Sequence, residues 1–352
     1  IGTGSTFVDL QSTAAATSIQ GGDGNDTVYF EGAGTATSIQ TGANSDQIYF
    51  FNASAWNTGI TIDGGSGFDT LYLYPSNATL DLRSATLTNL ESINLNGSNL
   101  TALIDADALT GITNLSGNSS GNNKFVTADA TLDLSGKSVS AVTIESSNVT
   151  GTTFTVSNST SAFQVLGGSG SDTIQTSNFA FTATQRDAIF NGSSIELIHD
   201  TSGFYGDETA NTITGTAAAD NIQGGGGADR ITGAAGLDSL SGGAGGDTFV
   251  FNFPSEGMDT ISDFVPLSDS LEISAAGFGS GLVAGSSATL ITASDVSLAS
   301  HAGSIGYFIF VDQGTNAGTV YWDATGGSGT DAIALVKLQG VASLASSDFH
   351  LV

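Results

Sequence analysis

Acidic and amide residues recur every nine positions in the middle of the chain. Residues 206–250 divide into five consecutive nonapeptides that each begin with Gly and carry an apolar eighth residue. Their sixth residues, in order, are Asn211, Asp220, Asp229, Asp238 and Asp247. A period held without slippage over five units is typical of a solenoid, and it fits the pattern G-G-x-G-x-D-x-U-x, in which U is apolar.

Two nonapeptides make one flattened coil, because each contributes one short strand and one turn. Parallel strands stack about 4.8 Å apart, so the sixth residues should form two columns. We expect Asn211, Asp229 and Asp247 along one edge, and Asp220 and Asp238 along the other. Carboxylates about 5 Å apart repel each other by roughly 1 kcal/mol in water, and by more where they are partly buried. The segment contains a single basic residue, so the columns need another cation.

The oxygen chemistry of these turns favours calcium. Ca²⁺ takes about six to eight oxygen ligands in a flexible arrangement, and stacked turns offer carboxylates together with backbone carbonyls. Glycine permits the sharp turns, because it adopts positive φ at little steric cost. The glycines predicted to contribute to the sites are Gly22, Gly24, Gly65, Gly67, Gly168, Gly170, Gly225, Gly227, Gly243 and Gly245.

Single copies of the same motif lie outside this block and start at positions 21, 41, 64 and 167. Residues 16–20 recur as residues 36–40, and each copy runs into one of these motifs. This longer period predicts coils of about twenty residues stacked on one another. The side chains predicted to bind calcium outside the block are Asp23, Asp26, Asp46, Asp69, Asp172, Asp259 and Asp263, and Asp269 is a further candidate for capping the last coil with an ion.

The nonapeptides resemble those of the repeats-in-toxin (RTX) family, also called haemolysin-type calcium-binding proteins. The resemblance implies a parallel β-roll that binds several Ca²⁺ ions. Residues 259–264 followed by 269–273 are similar to the segment that ends an RTX block, and residues 348–352 resemble an uncleaved type I secretion signal. Residues 87–95 are similar to segments of bacterial surface-layer and secreted repeat-rich proteins. These likenesses imply a secreted or cell-surface protein of a Gram-negative bacterium.

The remaining sequence also predicts β structure, so the expected fold class is all-β. Apolar residues alternate in short strands between uncharged turns from residue 75 to 164, which is typical of a parallel β-helix. A helix at 184–190 and a strand at 195–199 interrupt this rhythm. The expected organisation is a β-helix or β-roll with calcium turns at 1–178, a bridging segment at 179–203, the nonapeptide roll at 204–256, and a C-terminal antiparallel β cap carrying the secretion signal at 257–352.

Composition excludes several partners. The 352 residues include 34 acidic and 6 basic ones, for a formal net charge of -28. So acidic a chain is unsuited to direct binding of DNA, RNA or an anionic bilayer, which need Lys and Arg clusters. With 39% hydrophobic residues the chain can still bury a core, and no apolar run is long enough to cross a membrane. Because the first residue is Ile1, we expect a mature or trimmed chain.

Motifs for catalysis are weak. His199, His301 and His350 are too far apart for the metalloprotease pattern H-E-x-x-H. Ser119 lies in a G-x-S-x-G match at 117–121, but its neighbours are Ser, Gly and Asn and do not predict the strand and helix that a nucleophile elbow needs. We therefore predict no enzyme within these residues.

The predicted function is that of a secreted calcium-binding structural protein, such as a surface-layer, filament or sheath subunit, that folds and self-assembles on extracellular Ca²⁺. The expected partners are calcium ions and further copies of the chain, with cell-surface polysaccharide as another candidate. One alternative is the export and stability module of a larger secreted lipase, protease or polysaccharide epimerase. An adhesin stalk, or an adhesin that binds carbohydrate or ice through ranks of Thr or aromatic side chains, is the other.

Overall fold

The computed structural model describes residues 4–11, 15–303 and 305–352. The chain forms two compact units, of which the first ends at Ile195 and the second begins at Glu196. Both consist mainly of short parallel strands joined by tight turns. This confirms the all-β solenoid that the repeats predict.

Each coil of the first unit contributes strands of two to nine residues. In chain order they are β1 (Phe7–Asp9), β2 (Ala15–Gly22), β3 (Thr27–Phe30), β4 (Thr35–Ala43), β5 (Gln47–Phe50), β6 (Thr61–Ser66), β7 (Thr70–Leu73), β8 (Thr79–Asp81), β9 (Thr86–Thr88), β10 (Ser92–Leu95), β11 (Thr101–Ile104), β12 (Asn114–Gly117), β13 (Lys124–Thr127), β14 (Thr131–Asp133), β15 (Ser138–Ser140), β16 (Thr143–Ser146), β17 (Thr153–Thr155), β18 (Val165–Leu166) and β19 (Thr173–Gln175).

These strands stack in parallel sheets. One sheet has the order β1-β3-β5-β7-β10-β12-β15, a second has the order β2-β4-β6-β9, and a third has the order β8-β11-β13-β16-β18. A shorter ladder joins β14, β17 and β19. Thr27 pairs with Gln47, and Gln47 pairs with Thr70. Equivalent positions of successive coils therefore lie directly above one another.

Alternation along each strand places one set of side chains inside the first unit and the other outside. Phe30 and Phe50 are fully buried and stack face to face, with ring centroids 4.4 Å apart. On the outer side, Tyr49 stacks on Tyr72 with centroids 4.6 Å apart. The apolar column holds adjacent coils in register, because a slip of one residue would expose it.

The helices are short, and most of them terminate coils. They are α1 (Ser159–Ala162) and α2 (Ala183–Ser193) in the first unit, with 3-10 turns at Ala53–Ala55 and Asp107–Leu109. Helix α2 corresponds to the helix predicted at 184–190, and Thr182 begins it through a capping box with Gln185. Among the described residues, no helix is long and apolar enough to cross a membrane.

The second unit contains the nonapeptide roll and the cap. Its strands are β20 (Leu197–Asp200), β21 (Gly203–Gly206), β22 (Thr212–Thr214), β23 (Asn221–Gly226), β24 (Arg230–Thr232), β25 (Ser239–Ala244), β26 (Thr248–Phe251), β27 (Asp259–Ile261), β28 (Ser270–Ile273), β29 (Leu290–Ala293), β30 (Ser300–His301), β31 (Tyr307–Val311), β32 (Thr319–Asp323), β33 (Gly327–Ser328), β34 (Ile333–Leu338) and β35 (Phe349–Leu351). Its helices are α3 (Ala275–Phe278) and 3-10 turns at Val296–Leu298, Gly314–Asn316, Gly329–Asp331 and Ser346–Asp348.

Two parallel sheets form the walls of the roll. One wall runs β22-β24-β26-β28-β35, and the other includes β21-β23-β25-β27. Ile213 pairs with Ile231, and Ile231 pairs with Phe249. The apolar eighth residues of alternate nonapeptides therefore share one wall, as the sequence predicts.

The cap is antiparallel, as predicted, but it is continuous with the roll. Strands β31, β32 and β34 pair in antiparallel fashion. Strand β34 also pairs in parallel with β27, and β35 pairs in parallel with β28. The cap thus covers the edges of both walls of the roll, which would otherwise expose unpaired backbone groups. Phe308 and Trp322 of the cap join the same buried cluster as Phe249 of the roll.

Candidate calcium sites

A column of buried carboxylates follows one edge of the first unit. The backbone amide of Asp26 donates to Oδ1 of Asp46 at 2.6 Å, and the amide of Asp46 donates to Oδ1 of Asp69 at 2.7 Å. The amide of Asp69 donates to Glu91 Oε2 at 2.7 Å. Each acidic side chain therefore binds the backbone of the coil before it. This geometry keeps the carboxyl groups close together.

Two similar columns run along the second unit. The amide of Asn211 donates to Asp229 Oδ1 at 2.8 Å, and the amide of Asp229 donates to Asp247 Oδ1 at 2.9 Å. On the other edge, the amide of Asp220 donates to Asp238 Oδ1 at 2.8 Å. The arrangement in two columns is the one that the nine-residue period predicts.

The second oxygen of several column carboxylates has no hydrogen-bond partner within the described part of the chain. These buried, unpartnered atoms are Oδ2 of Asp46, Asp69, Asp229 and Asp238. A buried polar atom without a partner costs about 1–3 kcal/mol, and a charged one costs more. The atoms therefore need a ligand, and a hard cation suits a carboxylate oxygen.

In the motifs of Asp69, Asp229 and Asp238, the first glycine faces that unpartnered oxygen. A Cβ built on Gly64 would lie 2.7 Å from Asp69 Oδ2 and would also collide with the carbonyl oxygen of Asn89. On Gly224 it would collide with Asp229 Oδ2 and lie 2.5 Å from the carbonyl oxygen of Gly242. A carboxylate oxygen of one coil and a carbonyl oxygen of the next thus converge on a recess that only glycine leaves open. Such a set of oxygens fits Ca²⁺.

Backbone conformation separates the predicted glycines into two groups. Gly65, Gly67, Gly225, Gly227, Gly243 and Gly245 have positive φ, whereas Gly22, Gly24, Gly168 and Gly170 do not. At Gly243, with φ of 93°, a side chain would also collide with the carbonyl oxygen of Gly225. Successive turns therefore approach each other closely through their backbones.

Comparison with known proteins identifies these turns. The family model described as the RTX calcium-binding nonapeptide repeat matches residues 18–34, 61–77, 205–240 and 214–249. The chain is an RTX-repeat protein. The matches include the Asp26 and Asp69 turns and the five-unit block, whereas the predicted motifs at 41–49 and 167–175 lie outside them.

The remaining comparisons add little. No curated protein matches the chain. A solved structure, described as the solution structure of the AlgE6R3 subunit from the Azotobacter vinelandii mannuronan C5-epimerase, is 30% identical over 41% of this chain and 79% of that chain. The TM-score is 0.16, so the superposition supports no structural argument.

Three predicted ligands lie outside the RTX columns. Asp23 is exposed. Asp172 is buried, and its two carboxylate oxygens accept the amides of Thr152 and Gly168 at 2.7 Å each. Asp263 accepts the amide of Gly243 at 2.8 Å and so closes the turn of the preceding coil. The charge of Asp263 also helps to raise the pKa values of Asp247 and Asp269, so Asp263 lies near these two column carboxylates. The role of all three residues as calcium ligands stays a prediction.

Asp259, also predicted, lies at the end of the second column. It accepts the amide of Asp238 at 3.0 Å. Two further acidic residues occupy equivalent positions: Glu91, which the predicted set omits, below Asp69, and Asp269, the candidate for capping the last coil, which accepts the amide of Asp247 at 2.9 Å. Their signal in the sequence is an acidic residue that directly precedes a strand with alternating apolar residues.

Burial and mutual repulsion make the columns weak acids. Burial, with the nearby charges of Asp46 and Glu91, raises the pKa of Asp69 to about 6. Burial also raises the pKa of Asp229 to about 6, and that of Asp259 to about 7, where Asp238 and Glu256 add to the effect. Burial likewise raises the pKa values of Asp46, Asp238, Asp247 and Asp269. Without a cation, the folded columns therefore bind protons at a higher pH than ordinary carboxyl groups do.

No three His, Cys, Asp or Glu side chains in the described ranges converge on one point. A calcium ion in these turns would therefore depend on backbone carbonyls to complete its shell. The candidate catalytic groups are scattered: His199, His301 and His350 lie on β20, β30 and β35. Ser119 is in an exposed turn that leads to strand β13 and not to a helix.

The raised pKa values predict that acid stabilises the calcium-free fold. Folded Asp69, Asp229 and Asp259 bind protons more tightly than the unfolded chain does, so their contribution is lost as the pH rises through about 6 to 7. In excess chelator, urea unfolding monitored by circular dichroism should show higher stability at about pH 5 than at about pH 8. With saturating Ca²⁺ the trend should reverse, because protons compete with the ion. Equal midpoints at both pH values in chelator would contradict the assignment.

The recess beside Asp69 predicts a sharp response to one methyl group. Gly64→Ala places a Cβ between Asp69 Oδ2 and the Asn89 carbonyl oxygen, and such crowding costs about 1–3 kcal/mol. Gly192→Ala in helix α2 is the matched control, because nothing lies within 4 Å of its added Cβ. Calcium titrations followed by circular dichroism should need more Ca²⁺ for Gly64→Ala and an unchanged concentration for Gly192→Ala. Identical titrations of the two variants would show that the recess holds no ion.

Proposed function

We propose that this chain is a secreted structural protein whose fold is completed by extracellular calcium. The observation that carries the proposal is the row of buried, unpartnered Oδ2 atoms in turns matched by the RTX calcium-binding repeat. In the proposal, Ca²⁺ lies between successive coils and is bound by the column carboxylates and by backbone carbonyls of the Gly-rich turns. Several ions bind, because the motif recurs along both units.

The mechanism is the coupling of ion binding to folding. With a net charge of -28, the chain repels itself where calcium is scarce, and it stays extended enough for export through a type I secretion channel. Outside the cell, extracellular modules bind Ca²⁺ with dissociation constants of about 10⁻⁴ to 10⁻³ M. The binding free energy then becomes folding free energy.

Exposed apolar side chains support self-assembly into a surface layer, filament or sheath. Leu267 is 80% exposed, Leu237 is 68% exposed and Phe253 is 55% exposed, and all three lie in the second unit. Leu267 also has a φ of 69°, which is unfavourable for a residue with a side chain. Contiguous apolar patches mark contact surfaces, and in the proposal these side chains contact another copy of the chain.

The alternative is an export and stability module of a larger secreted enzyme, or an adhesin stalk. Both alternatives use the same calcium-driven folding, so folding experiments do not separate them from a structural subunit. Assembly does: a subunit forms ordered multimers by itself, whereas a module stays monomeric after it folds. Sedimentation and electron microscopy at millimolar Ca²⁺ therefore decide between them.

A charge-only substitution tests the proposal. Asp229→Asn keeps the oxygen that accepts the Asn211 amide but removes the charge of a column carboxylate. We expect folding of this variant to need several times more Ca²⁺, by circular dichroism, because one anionic ligand is lost. The control is Asp133→Asn, an exposed residue at the end of strand β14 that accepts the amide of Ser135 at 2.8 Å, and its titration should match the unmodified chain. If Asp229→Asn also matches, calcium does not bind through the column.

A further inference from the structure

A second kind of acidic site lies in the cap, outside the RTX turns. Asp323 ends strand β32 and has no exposed surface, whereas Asp331 lies nearby on the surface. The hydroxyl oxygen of Thr325 is 3.3 Å from Asp323 Oδ1 and 3.1 Å from Asp331 Oδ2. Two carboxylates thus face one hydroxyl group across the loop that joins β32 to β34.

The buried carboxylate is only half satisfied. Oδ1 of Asp323 accepts the amides of Thr325 and Gly326 at 2.9 and 3.1 Å. Oδ2 is buried and has no hydrogen-bond partner among the described residues. An uncompensated buried charge costs several kcal/mol, so this oxygen needs either a proton or a cation.

The groups around Asp323 are neutral oxygen and nitrogen donors. Tyr307 is fully buried, and its hydroxyl donates to the carbonyl oxygen of Gly327 at 3.2 Å. Burial, together with the charges of Asp323 and Asp331, raises the pKa of Tyr307 to about 12. The ring of His301 lies with its centroid 5.3 Å from that of Tyr307, and its buried Nδ1 has no partner among the described residues. None of these groups supplies a fixed positive charge.

No Lys or Arg is available to neutralise the pair. The second unit contains one Arg and one Lys, Arg230 and Lys337. Arg230 forms a bidentate ion pair with Glu272, with both N–O distances 2.6 Å. The amino group of Lys337 donates to the carbonyl oxygen of Ala317. Both basic side chains are therefore engaged elsewhere, and the cation must come from solution.

The ligands favour calcium over other ions. Carboxylate, hydroxyl and carbonyl oxygens are the ligands that Ca²⁺ takes in loops, with side chains at alternate positions such as Asp323 and Thr325. Mg²⁺ demands strict octahedral geometry. The exposed side chains of Asp331 and Thr325, together with the buried side chain of Asp323, do not provide it. We propose that loop 323–331 binds a calcium ion through the carboxylates of Asp323 and Asp331 and the hydroxyl of Thr325, separately from the RTX turns. The ion ties the end of β32 to the start of β34.

A neighbouring tryptophan makes the site observable. The ring of Trp322 and the carbonyl of Asp323 both border Gly306. Tb³⁺ occupies calcium sites and emits when a nearby excited indole transfers energy to it. The chain has two Trp residues, so Trp56→Phe leaves only Trp322 as the donor when tryptophan is excited selectively. The full-length chain with this substitution, loaded with Tb³⁺, should show strong sensitised emission.

Removal of either carboxylate tests the assignment in the Trp56→Phe background. We expect Asp323→Asn and Asp331→Asn each to lose most of the Tb³⁺ emission, and excess Ca²⁺ to displace Tb³⁺ from the parent. Asp133→Asn is the control, because Asp133 is an exposed acidic residue of the first unit, and its emission should be unchanged. Circular dichroism at saturating Ca²⁺ checks that each variant folds.

Undiminished emission in Asp331→Asn, with the fold intact, overturns the proposal. Because the side chain of Asp323 is buried, Asp323→Asn could fail to fold, but the result for Asp331→Asn decides the question without it. A parent that gives no sensitised emission also overturns it. Either failure leaves the RTX turns untouched, because their calcium-driven folding is measured independently of Trp322.

Discussion

The structure depends on the stacking of carboxylates at a separation that the backbone dictates. Parallel strands lie about 4.8 Å apart, and each acidic side chain is held in place by the amide of the preceding coil. The carboxyl groups of Asp26, Asp46 and Asp69 therefore cannot separate without breaking these hydrogen bonds. One oxygen of each group binds the backbone, and at Asp46 and Asp69 the other has no partner among the described residues. A divalent ion would offset the repulsion and complete the coordination of these oxygens.

Not every turn of the first unit is held by a carboxylate, and one of them contains a buried neutral side chain instead. Asn123 is buried, and its amide nitrogen donates to the carbonyl oxygens of Leu95 and Gly97 at 2.7 and 2.8 Å. Its oxygen accepts the amide of Leu100 at 2.9 Å. Both polar atoms of this neutral side chain are thus hydrogen-bonded to the backbone of neighbouring residues. The chain combines turns of this kind with RTX turns, so calcium is expected to control some coils more strongly than others.

Sequence predicts best what is repeated and local. The nine-residue period sets which residues share a wall, so the stacking of Asn211, Asp229 and Asp247 follows from spacing alone. The spacing lengthens from 18 residues between Asp229 and Asp247 to 22 between Asp247 and Asp269. Glu91 follows Asp69 by 22 residues but has no Gly-rich turn before it, which is why it was missed. The assignment of individual side chains as calcium ligands stays a prediction.

Contacts between distant segments were not predictable from the pattern. The cap strands show their own alternation, but nothing in it specifies that β34 pairs with β27 or that β35 pairs with β28. The loop from Asp323 to Asp331 contains no repeated motif, so the periodicity of the sequence did not indicate a binding site there. Only the burial of Asp323 distinguishes it from an ordinary acidic turn.

The most direct test of the account is hydrogen–deuterium exchange, resolved by peptide, on the metal-free and the calcium-loaded chain at neutral pH. In chelator, the account predicts rapid exchange in residues 206–250, where the amides of Asn211 and Asp229 are covered by column carboxylates. Millimolar Ca²⁺ should slow that exchange strongly, and it should have a smaller effect in coils with neutral turns around Asn123. Strong protection of 206–250 in chelator, unchanged by calcium, would contradict the claim that ions hold the columns together.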